Sequence, residues 1–371
     1  MKKILIVGVS DTIGGIETLF SGLFGEKIPC FDITFLCFDK PCAFFDNYIS
    51  QGYKIDIIPS RKSNPIKFSY NVKKYLKTHD YFDYIWINTS SASIWQFQVY
   101  AKKYTNAKVI THSHGTDFEK NGNALFHIGN IILHHLNLKK VILNTDLFFC
   151  CSKAAGIALY GEEKENELTI INNGIDCNKF SYNEKFRLEI REEFGVRDDE
   201  FLIGLIGRLS PQKNPVRAIE IFKQVMEINS KAKLLIVGTG DLLFEVEKKI
   251  SDLNMRNNVI IAGLRKDVNK IYSALDILIM PSLFEGLPLT AIEAQCSGLN
   301  CLLSDKITQE VAISDLTNFI SLDLDNTVWA DAIIDTERNE SRCQYSQLVH
   351  KQGYDSIEVK KRIVNLLYEN D

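Results

Sequence analysis

Two carboxylates, Glu285 and Glu293, stand eight residues apart in "FEGLPLTAIEAQ", residues 284–295, just after the apolar run "DILIMPS". A strand ending at "PS" leaves Glu285 on the loop at its carboxyl end. If Pro288 is the first residue of the next helix, where its missing N–H costs nothing, Glu293 is about five residues inside, ~8 Å further along. That separation suits two contacts to one extended ligand, with the unpaired N–H groups of the first helical turn between them. The bland alternative is a glutamate that only complements the helix dipole.

A second constellation, "GRLSPQKN" at residues 207–214, follows the apolar run "FLIGLI" and leads into "PVRAIEIFKQVM", which has helical spacing. Arg208 and Lys213 thereby sit at a strand's carboxyl end, beside a helix N-terminus. A planar guanidinium, a point-charge ammonium and free backbone N–H groups suit a diphosphate. Alone, this segment reads equally well as a solvated loop.

The elements that must position these groups are legible as short apolar runs separated by helix-length segments. The first series is "KKILIVGV", "ITFLCF", "YKIDIIP", "YIWINT", "KVITHSH", "LFFCCS" and "TIINNG"; the second is "FLIGLIGRL", "AKLLIVGTG", "NVIIAGL", "DILIMPS" and "NCLLSD". Continuous apolar strands alternating with helices indicate parallel sheets covered on both faces. The expected fold is α/β, with two Rossmann-like doubly wound domains facing a cleft. Their expected spans are 1–178 and 179–371, leaving open that the last helix crosses back to the first domain. Binding sites in such sheets lie beyond the carboxyl ends of the strands.

At 371 residues with 45% hydrophobic and 24% charged side chains, the composition is that of an ordinary globular protein. No apolar run approaches the ~20 residues that span a bilayer, and "MKKILIVGVSD" reads as a strand instead of a signal peptide, so a cytoplasmic location is expected. Nine cysteines without a CxxC pair read as reduced, mostly buried thiols. The net charge of −4 divides into +3 for residues 1–175 and −7 for the remainder. Lys54, Arg61, Lys62, Lys67, Lys73, Lys74 and Lys77 crowd one segment, either as a solvated face or as a contact for an anionic partner.

Taken together, Glu-x7-Glu after a "PS" strand end, "GRLxxxKN", "NGID" and "VGTGD" resemble the retaining nucleotide-sugar glycosyltransferases of family 4, which have the GT-B fold. "FEGLPLTAIEAQCSGLNCLLSDKIT" is similar to the branch that builds bacterial capsular and exopolysaccharides. The resemblance implies that Arg208 and Lys213 hold the donor diphosphate, that Glu293 takes the ribose hydroxyls and that Glu285 contacts the transferred sugar. Many members carry Gly where this chain has Pro288, which offers no N–H. Donor contacts are therefore expected from the N–H groups of Leu287, Leu289 and Thr290. "VSDTIGGIE" resembles the family's glycine loop, with Gly14 and Gly15 admitting phosphate and acceptor; it is not GxGxxG. In "VITHSHGTD", His114 matches the family's active-site histidine, and His112, two residues earlier on the same side of the strand, is the alternative.

The implied activity is transfer of a sugar from a nucleotide diphosphate donor, UDP-linked by resemblance, to a carbohydrate or lipid-linked acceptor. The alternatives are a sugar-nucleotide binder without transfer and a GT-B epimerase or phosphorylase. No cofactor is expected, and no metal, because Arg208, Lys213 and the helix start can balance the diphosphate charge; "DLD" at 323–325 falls after the last strand–loop motif. A nucleic-acid partner is not expected. Peripheral contact with an anionic membrane is the remaining expectation. Two segments could make it: Ile66, Phe68, Val72, Tyr75 and Leu76 with Lys67, Lys73, Lys74 and Lys77, and Leu125, Ile128, Ile132 and Leu136 ending in Lys139 and Lys140. Either apolar face could instead be packed against a sheet.

Overall fold

The computed structural model describes residues 1–12, 14–61, 64–115 and 124–369. Ile13 of the glycine loop, Lys62 of the basic segment, and Thr116 and Asp117 of "VITHSHGTD" lie outside the described residues, as does the side chain of Leu125. The chain divides into two compact units, Met1–Gly174 with Val359–Asp371, and Ile175–Glu358.

In the first unit, β1 (Lys2–Val7), β2 (Phe31–Phe38), β3 (Lys54–Ile58), β4 (Tyr84–Thr89), β5 (Lys108–Ser113), β6 (Leu147–Cys150) and β7 (Leu168–Ile170) form a sheet in the order β3-β2-β1-β4-β5-β6-β7. The second unit has β8 (Phe201–Ile206), β9 (Ala232–Val237), β10 (Val259–Gly263), β11 (Ile277–Met280), β12 (Asn300–Ser304) and β13 (Thr317–Ile320), in the order β10-β9-β8-β11-β12-β13. Every pairing in both sheets is parallel. The order reverses between β1 and β4 and again between β8 and β11, so the loops leaving those strands diverge and open a crevice at each carboxyl edge.

Adjacent side chains of a strand point to opposite faces, and the cores follow. Ile4 and Ile6 pack with Phe20, Phe24 and Trp86, whereas Leu5 and Val7 pack with Phe68, Val72 and Phe97. In the second unit Leu202 and Ile206 join Leu278 and Ile292, while Ile203 and Leu205 join Ile219 and Phe222. Burial on both faces is why these strands read as continuous apolar runs. The edge strand β13 escaped the sequence reading because "TNFI" is short and only half-buried. Seven of the nine cysteines are buried, and all nine are free thiols.

The last helix, Ser356–Glu369, places Val359, Ile363 and Leu367 at spacings of four in the core of the first unit. Tyr84 Oη donates to the Leu367 carbonyl at 2.7 Å.

The two amphipathic segments meet different fates. In the helix Pro65–Thr78, capped by the Asn64 side chain, Phe68, Val72, Tyr75 and Leu76 are buried against the sheet, which corrects the expectation that this face is available. Only Ile66 stays exposed from that set, at 85%. In the helix Ala124–Leu143, by contrast, Ile128, Ile132, Leu136 and Leu143 are all exposed. No helix among the described residues is long and apolar enough to cross a membrane.

The second unit hides a dense charge cluster. Arg187 and Arg191, from the helix Glu184–Glu193, reach Asp276 at 2.9 and 3.2 Å, with all three side chains at least 95% buried. Asp276 also accepts from Leu202 N at 2.8 Å, fixing the start of β8. Asp276→Ala strands two guanidiniums in the interior and is expected to cost about 3–5 kcal/mol of stability, read by chemical denaturation.

Candidate functional site

The second unit's carboxyl edge is shaped by backbones that nearly touch. Gly207 has φ +146° and donates its N–H to Val237 O at 2.9 Å, and Leu209 N donates to Thr239 O at 3.0 Å. A Cβ on Gly238, where φ is +134°, would lie 2.0 Å from Gly207 O, and one on Gly240 would lie 2.4 Å from Leu209 O. The glycines of "VGTGD" are thus required where the loop after β9 presses on the loop after β8.

On the β8 loop, Pro211–Lys213 make one tight turn, and Asn214, at φ +52°, ties it to the end of β11 by donating to Pro281 O at 3.1 Å. Leu283 N donates to Gln212 O at 2.8 Å. Glu285 is 9% exposed and lies between two neighbours from that turn. Lys213 Nζ forms an ion pair with its Oε1 at 2.5 Å, at angles outside those of a hydrogen bond, and Gln212 Nε2 donates to Oε2 at 3.3 Å. Arg208 is exposed beside Lys213 on the same cleft and pairs with no carboxylate among the described residues.

The next helix is Leu289–Cys296, with Pro288 as its cap at φ −71°, ψ 114°. This corrects the expectation that Pro288 is the first helical residue. Its carbonyl accepts from Ala291 N at 3.1 Å, which leaves the N–H groups of Leu289 and Thr290 outside the intrahelical ladder. Leu287 is buried at the foot of that turn. Glu293 follows on the helix, half-buried, and accepts from Tyr272 Oη at 2.8 Å. Burial pushes its carboxyl up to about 7, against the opposing pull of the Tyr272 hydroxyl and of Lys179. Lys213 and Glu285 are therefore in contact, with Arg208 on the same cleft, while Glu293 is held by a partner of its own.

In the first unit, Gly8 needs to be glycine: its φ is +93°, and a Cβ would lie 2.4 Å from Asn88 O. Gly14 and Gly15 do not have positive φ: Gly14 caps the helix Gly15–Phe24 with extended backbone, and a Cβ on Gly15 would meet nothing nearer than Asn173 Nδ2 at 3.8 Å. Beneath that loop the buried Glu17 accepts from Ser10 N at 2.7 Å.

Asn88, at the end of β4, donates through Nδ2 to Val7 O at 3.0 Å. Its Oδ1 is thereby turned toward His114 Nε2, 2.8 Å away, which must be the protonated nitrogen. Burial pushes His114 down to about 3, so the imidazole is neutral at physiological pH. His112 has no exposed surface; its Nδ1 accepts from Trp86 Nε1 at 3.3 Å, and the two imidazole rings lie 3.9 Å apart. A cleft of about 250 Å³ opens beside Asn88, lined among others by Ser10, Asp11, Phe38, Lys40 and Phe97.

Sequence reasoning did not single out Asn88, Gln212, Tyr272 or the Lys40–Asp11 pair, 3.6 Å apart. Asn88 carried a weak signal, as the polar residue closing an apolar strand. Tyr272 carried none, because its ring is core and only its hydroxyl reaches Glu293.

Residues 186–352 match the family model described as glycosyl transferases group 1. The Bacillus subtilis (strain 168) protein named "Putative glycosyltransferase EpsF" is 28% identical over 90% of this chain and 87% of its own length. The Escherichia coli UDP-Gal:alpha-D-GlcNAc-diphosphoundecaprenol alpha-1,3-galactosyltransferase is 26% identical over 82% of this chain and 79% of its own. Among solved structures, Anabaena Alr3699/HepE in complex with UDP and glucose superposes with a TM-score of 0.79 at 18% identity, covering 99% of this chain and 100% of that one. The motifs of the second unit thus lie inside the segment that matches the group 1 glycosyltransferases, and the chain as a whole has the GT-B fold and is similar to glycosyltransferases along most of its length.

Proposed function

We propose that this glycosyltransferase is a retaining enzyme of family 4 that moves a sugar from a UDP-sugar to a lipid-linked saccharide during assembly of a bacterial surface polysaccharide. One observation carries the donor side. At the switch point of the second sheet, Arg208 and Lys213 come from the loop after β8, and the free N–H groups of Leu289 and Thr290 come from the segment after β11. Two cations and a helix start are a diphosphate site. UDP as the nucleotide is supported by the UDP-Gal donor in the galactosyltransferase's name and by the UDP and UDP-glucose held in the HepE structures.

In the reaction, the bond between the sugar C1 and the β-phosphate oxygen breaks, and the acceptor oxygen bonds to C1 on the same face. The acceptor's proton passes to the leaving phosphate oxygen. Arg208 and Lys213 stabilise the charge that develops on the diphosphate, so no divalent metal takes part. Glu293 accepts from the ribose hydroxyls, the N–H of Leu287 adds a donor contact, and Glu285 orients the transferred sugar. His114, held neutral by burial, also orients the sugar as a hydrogen-bonding group and not as a cation, and Gly14 and Gly15 admit phosphate and acceptor. The decisive experiment incubates the purified chain with a panel of UDP-, GDP- and ADP-sugars and diphosphoundecaprenol-linked saccharides. Transfer from a UDP-sugar with retained anomeric configuration, undiminished by excess chelator, is expected. Hydrolysis without transfer, inversion, or dependence on added manganese would each overturn the corresponding part.

The Lys213–Glu285 pair sharpens a mutational test. A diphosphate must draw Lys213 away from a carboxylate that already holds it at 2.5 Å. Glu285→Gln should therefore bind free UDP several-fold more tightly by calorimetry while losing transfer. Arg208→Ala or Lys213→Ala should lower turnover roughly 10²–10³-fold. Weaker UDP binding in Glu285→Gln would show that the pair does not compete with the nucleotide.

A lipid-linked acceptor places the first unit at an anionic membrane, and the exposed surface supports this. The amines of Lys73, Lys77 and Lys103 gather over the Tyr104 ring at 5.7, 4.8 and 5.7 Å. Tyr104 packs on Tyr100, Tyr100 on Trp95, and Lys140 lies 4.6 Å over Trp95. A basic strip thus runs to the helix Ala124–Leu143, which contains no acidic residue and exposes Ile128, Ile132 and Leu136. Co-sedimentation with phosphatidylglycerol vesicles, but not phosphatidylcholine, is expected. Since each cation near an anionic surface is worth about 1 kcal/mol, replacing Lys73, Lys77, Lys103 and Lys140 by Gln should weaken binding about a thousandfold. Equal partition to both vesicle types would refute the docking and leave the transferase assignment standing.

A further inference from the structure

We infer that Tyr272 is a positioning residue for nucleotide binding: its phenol holds the Glu293 carboxylate in place where a ribose diol would meet it. The inference rests on the reading of Glu293 given above.

Three observations carry it. Tyr272 is fully buried, and its hydroxyl donates to Glu293 Oε2 at 2.8 Å from the helix Val268–Ala274. One carboxylate oxygen is thus fixed inward, leaving Oε1 and the outer lone pairs for a ligand. Second, the phenol cannot drift, because its backbone is clamped. Arg342, itself 4% exposed, donates to Tyr272 O at 2.7 Å and to Ser297 O, Ser273 O and Leu275 O at 2.8, 3.2 and 2.9 Å. Those acceptors include the last carbonyls of the Tyr272 helix and the residue that ends the Glu293 helix, so one guanidinium fixes both helices against each other. Third, Glu293 needs the donor. Burial raises its carboxyl to about 7, and the Tyr272 hydroxyl is the larger of the two influences opposing that rise, Lys179 being the other. Burial also drives the phenol well above its ordinary range, so it stays a donor at every accessible pH.

The groups that face this pair are few. Lys179 comes from the segment after β7 and acts on Glu293, Cys296 interacts with Glu293 and in turn with Cys177 and Asp355, and Cys301 and Thr290 interact with Tyr272. Burial and hydrogen bonding push Cys296 and Cys301 far above neutrality, so Glu293 is left as the group whose charge changes near pH 7.

The sign follows. Ribose hydroxyls donate to the ionised carboxylate, so UDP affinity should rise with pH and level off above the Glu293 midpoint, and binding near neutrality should release a proton. Removing the phenol donor should move that midpoint upward by about one pH unit, the size expected for one charge-assisted hydrogen bond.

The test is calorimetry of UDP binding to the full chain from pH 5.5 to 9.5, for wild type, Tyr272→Phe and Glu293→Gln. Wild type should lose affinity below neutrality, and Glu293→Gln should bind weakly with that part of the pH dependence gone. Tyr272→Phe should bind about fivefold more weakly at pH 7 and within about twofold of wild type at pH 9.5. Should Tyr272→Phe fail to fold, 3-fluorotyrosine at position 272, a stronger donor of nearly the same volume, should move the midpoint downward. A Tyr272→Phe loss that is equal at all pH values, or an unmoved midpoint in the variant that folds, overturns the inference. A Glu293→Gln profile that matches wild type instead overturns the ribose assignment on which it rests.

Discussion

The second unit's candidate site depends on the close approach of backbones at the ends of β8, β9 and β10. Gly238 N donates to Gly263 O and Gly207 N to Val237 O, at 2.8 and 2.9 Å, so three consecutive strand ends are stitched below the point where their loops diverge. No side chain fits between Gly238 and Gly207. Because the loops cannot spread, the turn carrying Lys213 is pressed onto the segment after β11, and Asn214, Gln212 and Lys213 all find their partners there. Crowding at a strand end thus becomes a fixed distance between a cation and a carboxylate.

That geometry satisfies Lys213 and Glu285 with each other, while Arg208 is exposed. On the proposed donor reading the two cations have unequal tasks: Arg208 would meet a phosphate without giving anything up, whereas Lys213 would exchange one anion for another. A buried charge left without its partner costs more than a paired one, so a half-buried lysine at a cleft is better placed beside a carboxylate. On the same reading, the carboxylate would become available to a sugar once the amine leaves it.

Much of this was legible in the sequence, and the reason is periodicity. Strands buried on both faces announce themselves as apolar runs, and Arg208, Lys213, Glu285 and Glu293 announce themselves by following such runs at fixed offsets. The glycines of "VGTGD" were readable as a motif, although their cause, backbone contact between neighbouring loops, was not. The failures share a different cause. Pro288 caps its helix instead of beginning it, since the first turn is set by where Leu283 and Glu285 are tied down and not by the proline alone. Tyr272 acts through its hydroxyl alone and Asn88 through its side-chain amide, and no pattern of residue types distinguishes a core tyrosine whose hydroxyl is needed from one whose ring is. The two amphipathic helices have similar apolar spacing, but the expected apolar face of one is buried against a sheet whereas Ile128, Ile132 and Leu136 of the other are exposed. Spacing shows that a helix has an apolar face and is silent on what lies opposite it.

The segment that closes the first unit's core comes from the far end of the chain. Val359, Ile363 and Leu367 pack among residues that begin at Ile4, and Ile175–Glu358 forms the second unit in between. A ribosome therefore releases the whole second unit before the first can be completed. During synthesis the usual order, in which the N-terminal domain folds first, is reversed at the final step. Residues around Phe31 and Tyr84 wait with an uncovered apolar groove until the last helix emerges. A chain cut short by a dozen residues would retain Arg208, Lys213, Glu285 and Glu293 in a finished unit and leave the unit bearing His114 unsealed.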